Sequence, residues 1–172
     1  MSANPRPPAR VLAGHTLRPM TLASLEGVVA LEAEVYPFPW TRGNFVDSLA
    51  AGYTAWTLNG RGGELLAYCV AMLGAGEMHL LNITVGPAVR RRGHARRLLD
   101  ALTDECRDLD AERLWLEVRI ANVDAQRTYL RLGFTKVGVR KGYYPAPAGT
   151  REDAVVMSKI IEPVVGGADA LE

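Results

Sequence analysis

The chain has 172 residues, 48% of them apolar and 23% charged, with 20 basic and 19 acidic side chains for a net charge of +1. That length and balance suit one domain with a sizeable core and argue against a general nucleic-acid binder, which carries a marked basic excess. No apolar run approaches the roughly 18 residues of a membrane span, and the N-terminus lacks the apolar segment of a signal peptide, so no membrane partner is expected.

Residues 1–14 are rich in Pro, Arg and Ala without a period and are expected to form a disordered lead. His15 to Met20 predicts a short strand, and Thr21 can cap a helix running to about Val35. Tyr36-Pro37-Phe38-Pro39-Trp40 breaks that helix, because two prolines forbid it and hold three aromatics in an extended loop. Thr41 then caps a second helix to about Ala50. Tyr53–Leu58 and Glu64–Leu73, joined across Asn59–Gly63, read as a hairpin. The glycines of that turn precede no helix, so it is not a phosphate loop. Glu77–Val85 is a long central strand and Arg113–Val118 another. Asn122 opens a helix that Gly133 ends. Phe134–Arg140 is a strand, Lys141–Gly149 a loop, Arg151–Ile160 the last strand, and residues after Glu162 a tail. Strands separated by crossover helices predict an α/β (α+β) fold in one domain, residues 15–162, with a mixed sheet of about seven strands and about four helices. The Glu77–Val85 and Leu114–Val118 strands should be parallel neighbours with a right-handed crossover. Cys69 and Cys106 fall in apolar surroundings, give no disulfide framework and fit a reducing cytoplasm. His15, His79 and His94 show no metal-ligand spacing, so no metal is expected.

The chain is organised around residues 82–99, NITVGPAVRRRGHARRLL. An apolar strand turns through Gly86-Pro87, passes Arg90, Arg91 and Arg92, and enters a helix at Gly93-His94-Ala95. The helix shows one apolar face at Ala95, Leu98, Leu99, Leu102, Cys106 and Leu109. The first helical turn has backbone N–H groups with no internal partner, at the positive end of the helix dipole. Gly93 and Ala95 keep side chains away, so a pyrophosphate can reach those groups. Neither the Walker pattern nor the dinucleotide fingerprint is present. Alone, the stretch reads equally as a basic helix start on a solvated surface.

Two further residues stand out. Glu117 lies within the strand Leu114-Trp115-Leu116-Glu117-Val118, where carboxylates are depleted. It either pairs with Arg119 or faces solvent, or it stands at the carboxyl end of a parallel strand, where open α/β sheets place their ligands. Tyr129 is either a core aromatic on a helix face or a site residue.

Arg90-x-x-Gly93-x-Ala95 resembles the R/Q-x-x-G-x-G/A pyrophosphate loop of the GCN5-related N-acetyltransferases, the GNAT family, which bind acetyl-coenzyme A. Asn122, Ala125, Tyr129, Leu132, Gly133 and Phe134 match that family's N-x-x-A-x-x-x-Y-x-x-x-G-F signature. LWLEVR, GFTKVGVRKGYYP, REDAVVM and the Pro37–Trp40 loop resemble its bacterial RimI-type branch, whose members acetylate the N-terminal alanine of a small-subunit ribosomal protein. The resemblance spans about residues 15–162. Ala95 stands where the nearest relatives carry glycine, and with three consecutive arginines the phosphate-contacting one is not singled out.

The resemblance implies direct transfer from acetyl-coenzyme A to an amine, with Glu117 as general base, Tyr129 as proton donor to the departing thiolate, and Asn122 hydrogen-bonded to the cofactor. Residues 83–85 (Ile83, Thr84, Val85) and Arg90–Ala95 would line the cofactor. Backbone N–H groups at Ile83–Val85 can face the charge that develops on the thioester carbonyl. Phe38, Pro39 and Trp40 with Tyr143 and Tyr144 would bracket the peptide, a ribosomal protein N-terminus. Three rivals stand beside this reading. A family member acting on a free amine, such as a polyamine or aminoglycoside, is disfavoured by the F-P-W and Y-Y-P features. A non-catalytic acyl-coenzyme A sensor would need neither Glu117 nor Tyr129. An RNA binder using Arg90–Arg97 conflicts with the charge balance and with the lack of stacking aromatics.

Overall fold

The computed structural model describes residues 9–163. Its elements are β1 Arg10–Leu12, β2 His15–Pro19, α1 Leu25–Val35, α2 Arg42–Ala50, β3 Thr54–Asn59, β4 Leu65–Gly74, β5 Glu77–Val85, α3 His94–Asp108, β6 Arg113–Arg119, α4 Val123–Arg131, β7 Thr135–Pro145 and β8 Arg151–Ile160. Among the described residues, eight strands form one sheet in the order β1-β2-β3-β4-β5-β6-β8-β7. Every pairing is antiparallel except β5 with β6, the parallel pair that α3 connects.

Three expectations need correction. The lead expected over residues 1–14 holds β1, which pairs with β2 and is tied to α3 by Arg10, whose guanidinium lies 3.8 Å from Glu105 and 3.7 Å from Asp108. This adds the eighth strand; residues 1–8 and the tail from 164 lie outside the described residues. The first helix begins as a 3₁₀ turn, Leu22–Ser24, because the Thr21–Ser24 capping pair closes a three-residue turn before α1 starts. The segment expected as a loop from Lys141 is strand to Pro145, with a register shift between Arg140 and Tyr144 that absorbs Gly142.

Two cores sit on opposite faces of the sheet. One holds Leu98, Leu99, Leu102 and Cys106 of α3, Tyr129 of α4 and the inward residues of β3–β6 and β8. The other holds Leu25, Val28 and Leu31 of α1 and Phe45 of α2 against Ala55, Tyr68 and Val70. Both cysteines are buried, Cys69 with its thiol pushed up to about 12 and Cys106 to about 11 by loss of solvation, so neither is a nucleophile at neutral pH.

The feature that opens the site is a one-residue bulge. Val70 pairs with Asn82 but the next residue, Ala71, pairs with Leu80, so Leu81 is unmatched. Because side chains alternate, one extra residue inverts the faces. Before it, Met78 and Leu80 belong to the α3-side core; after it, Ile83 and Val85 pack there while Asn82 and Thr84 turn to the α1 side. A bulge also bends the strand and increases its twist. The β5–β6 ladder ends at the same place, with Leu80 opposite Leu116, although both strands continue. Residues 81–85 and 117–119 therefore diverge and leave a V-shaped opening.

Candidate active site

Glu117 is the first β6 residue beyond the last pair with β5. It alternates with Leu116 and Val118, which face the α3-side core, so its carboxylate lies on the α1 side. The side chain is only 5% exposed, yet it does not pair with Arg119 as one sequence reading held. Its Oε2 is 2.8 Å from His79 Nε2, and its Oε1 is 3.5 Å from Arg140 Nε. Arg119 instead binds Glu152 at 2.8 Å, stacks over Tyr144 at 4.5 Å and donates to the Pro145 carbonyl. Glu152 also accepts from Ala121 N–H, and these two bonds hold its carboxyl below the usual range. That arrangement clamps the end of β6 to β7 and β8.

Tyr129 comes to the V from the other face. It is buried among α3-side apolar residues, with its ring 5.8 Å from Phe134. Burial raises its phenol well above the ordinary value, and the nearby Tyr36 raises it further, so the hydroxyl keeps its proton at neutral pH. Tyr36 belongs to the α1 side.

The basic loop forms as expected. Gly93 is the N-cap of α3 with φ +79, a left-handed conformation that glycine adopts without a Cβ penalty. Arg90, Arg91 and Arg92 are exposed, and Arg97 donates to Arg92 O at 2.8 Å, holding the loop on the first turn. Exposed guanidiniums and first-turn N–H groups fit a pyrophosphate. His94 is different: its side chain is 4% exposed, its ring meets His15 edge-on at 5.1 Å, and burial lowers its pKa. Only its backbone can serve the loop. The Asn122 Oδ1 accepts from Ala125 N–H and caps α4, which occupies that oxygen.

On the α1 side the Trp40 ring packs on Phe45 at 5.3 Å, and the Trp40 backbone N–H donates to Glu32 Oε1 at 2.8 Å. Phe38 is 43% exposed. Tyr143 is partly exposed, with Arg140 5.5 Å from its ring and the Tyr144 ring edge-on at 4.9 Å, and its phenol is raised by burial and by the Glu117 charge. Tyr144 donates its hydroxyl to Glu117 O at 3.0 Å, so it braces the backbone of the candidate base. Of the expected cofactor-lining residues, Thr84 turns its side chain to the α1 side, where it meets Tyr36, and its backbone faces Tyr68 in the β4 ladder, so the backbone groups that border the V are those of Ile83 and Val85.

Sequence reasoning missed His79, Arg140, Tyr36 and Glu32. Glu32 carried a signal: it sits in the apolar stripe Val28–Leu31–Glu32–Val35 of α1 and is 2% exposed. His79 carried one too, as a titratable residue between buried Met78 and Leu80.

A parallel-strand V with a shielded carboxylate on one face, a protonated phenol on the other and a basic, glycine-capped helix start beyond its end fits a group-transfer enzyme that uses a phosphate-bearing carrier. The family model described as Acetyltransferase (GNAT) family matches residues 25–134, and the chain belongs to that family. It is 34% identical over 128 residues to the [ribosomal protein bS18]-alanine N-acetyltransferase of Haemophilus ducreyi, covering 74% of this chain and 88% of the relative. It is 33% identical over 144 residues to that of Escherichia coli (strain K12), covering 84% of this chain and 96% of the relative. The crystal structure of the ribosomal-protein-S18-alanine N-acetyltransferase from Escherichia coli superposes with a TM-score of 0.79 at 32% identity, covering 92% of this chain and 99% of that one.

Proposed function

We propose that this chain is a protein N-α-acetyltransferase that moves an acetyl group from acetyl-coenzyme A to the N-terminal alanine of a ribosomal protein, as a cytoplasmic enzyme. The carrying observation is Glu117, a water-shielded carboxylate placed where β5 and β6 part, with Tyr129 opposite it across the sheet. The named relatives support the choice of amine. The loop fits the carrier, because Gly93 leaves the first-turn N–H groups open, where a Cβ would stand 3.2 Å from Arg97 Nη1.

Acetyl-coenzyme A would supply an activated thioester, with its phosphates on Arg90–Arg92 and the backbone of Gly93–Ala95. An α-amine has a pKa near 8, so it is mostly protonated at neutral pH and must lose that proton to attack. Glu117 takes the proton on the α1 side, and His79, more exposed at 28% against 5%, lies between the carboxylate and water. Backbone N–H groups of Ile83 and Val85 face the developing negative charge on the carbonyl oxygen. Tyr129 donates its proton to the departing sulfur on the α3 side. Base and acid therefore act from opposite faces through one opening. Phe38–Trp40 and Tyr143 line the α1-side approach, and aromatic walls held by proline restrict a chain at little entropic cost.

The test is mass spectrometry of peptides after incubation with enzyme and acetyl-coenzyme A. A peptide that begins with alanine gains one acetyl group on its α-amine. The same peptide beginning with leucine, its N-terminally blocked form and a lysine ε-amine react poorly. Equal rates on spermidine or kanamycin and on the alanine peptide would replace the peptide reading with the free-amine one.

A further inference from the structure

The loop from Tyr36 to Trp40 is tied directly to β5 at its start and to Glu32 of α1, which is itself bonded to β5, at its end. At its start, Tyr36 donates its hydroxyl to the Ile83 carbonyl at 3.0 Å, and its oxygen lies 3.1 Å from Thr84 Oγ1. Thr84 has a single hydroxyl proton and a second acceptor in reach, Asn82 Oδ1 at 3.0 Å. Asn82 Nδ2 donates to Glu32 Oε2 at 3.1 Å, and Tyr68 donates to the same oxygen. The other carboxylate oxygen of Glu32 accepts from Trp40 N–H at the end of the loop. A polar cluster thus links Tyr36, the Asn82–Thr84 stretch of β5, Glu32 and Trp40, with the single Thr84 proton going either to Tyr36 or to Asn82. Asn82–Thr84 is also the stretch just after the Leu81 bulge, where β5 borders the V.

We propose that Tyr36 is a positioning residue for acetyl transfer: its hydroxyl fixes the peptide-lining loop against the β5 edge, and so sets the distance between the incoming amine and the acyl group. This rests on the reading of the loop as a peptide wall and of the V as the acyl groove. The Tyr36 phenol is raised by burial, and its proton is committed to a backbone carbonyl, so it holds geometry and transfers no proton. The rest of the cluster survives without it, because Glu32 keeps Trp40, Tyr68 and Asn82. Loss of the Tyr36 hydroxyl therefore loosens one end of the loop only. A misplacement of reacting groups by about 1 Å can lower a rate on the order of a hundredfold.

The experiment compares Tyr36→Phe with the unaltered enzyme on an alanine-starting hexapeptide and on alaninamide, which has the same amine but no chain to lie along the loop. The expected result is a fall in kcat/KM on the hexapeptide about tenfold greater than on alaninamide, with the KM for acetyl-coenzyme A within about twofold and the pH profile in place. Thr84→Val, which removes one of the two partners of the hydroxyl and leaves its bond to the Ile83 carbonyl, gives the same pattern in smaller measure, and the double variant is no worse than Tyr36→Phe because the Thr84 contact to Tyr36 is already lost there. Thr84→Val carries the test alone if Tyr36→Phe does not fold. Equal losses on both substrates, a displaced pH profile or no loss would overturn the positioning role. An unaltered enzyme that ignores the hexapeptide but acetylates another amine would overturn the function proposed above, whereas an active enzyme matched by Tyr36→Phe overturns this inference alone.

Discussion

Replacing Glu117 with glutamine separates catalysis from folding at this site. Glutamine has the same shape, and its carbonyl oxygen can still accept from His79, which now stands 2.8 Å from Oε2. What disappears is the negative charge and the capacity to take a proton. Loss of a general base typically costs ~10²–10⁴-fold in rate, or about 2.7–5.4 kcal/mol of transition-state stabilisation. The folding cost is far smaller. The ion pair given up is with Arg140, whose side chain is 53% exposed and returns to water, so the loss is on the order of 0–1 kcal/mol. The assay is thiol release from acetyl-coenzyme A with an alanine peptide over a range of pH, beside calorimetry of acetyl-coenzyme A and a thermal melt. We expect kcat to fall at least a hundredfold, the melt to move little and cofactor affinity to hold, because the carboxylate lies on the α1 side of the sheet and the basic loop leads into the helix on the other. Turnover within about threefold of the unaltered enzyme, well short of the range for a general base, would refute the assignment and make Glu117 a structural anchor for His79 and Arg140.

Gly93→Ala forces a Cβ onto a backbone at φ +79, a conformation that costs a non-glycine residue roughly 1–2 kcal/mol. Relief of that strain rotates the first-turn N–H groups, so acetyl-coenzyme A affinity measured by calorimetry should fall by about 5- to 30-fold, the equivalent of 1–2 kcal/mol; unchanged affinity would dissociate the loop from the carrier. Glu152 titrates below the usual carboxyl value, so its contribution to stability is complete above the ordinary value of 4.5 and is lost as pH falls through the lower folded value. Glu152→Gln should therefore lower the urea midpoint at pH 6 and do so progressively less as pH falls below 4.5, and a gap that stays constant with pH would show that the hydrogen bond from Ala121 and the ion pair with Arg119 are not its source.

The elements that were legible in the sequence are those governed by local rules. The Thr41 cap of α2, the Gly93 start of α3, the Asn122 cap of α4 and the left-handed Gly133 after it all stand where turn and cap chemistry put them. The parallel pairing of β5 with β6 followed from the crossover helix between them. Glu117 was visible because a carboxylate is out of place in a buried strand, whereas Tyr129, which also fits as a core aromatic, stood out only through the family signature it completes. β1 was not legible, since three residues give no period, and its hold on the fold is a tertiary ion pair from Arg10. The reach of β7 to Pro145 was hidden by Gly142, which is accommodated by the register shift against β8.

The partners of Glu117 were hidden for a deeper reason. His79 lies 38 residues away in the chain and meets Glu117 only through the β5–β6 ladder, where it stands opposite Trp115, two residues before the carboxylate. Had β5 kept strict alternation past Leu80, Asn82 and Thr84 would face the α3-side core, and Tyr36 would find neither Thr84 nor the route through Asn82 to Glu32. The apolar residues of EMHLLNITV fall at Met78 and Leu80 and then slip phase to Leu81, Ile83 and Val85, while the burial pattern alternates without a break, so Asn82 and Thr84 are buried as polar residues where the partner face inverts at Leu81. One unpaired residue therefore does two things: it falls where the β5–β6 ladder ends and the strands part, and it delivers Asn82 and Thr84 to the α1 side, beside the Tyr36–Trp40 loop. Periodicity reports which residues are buried; only the register reports against what.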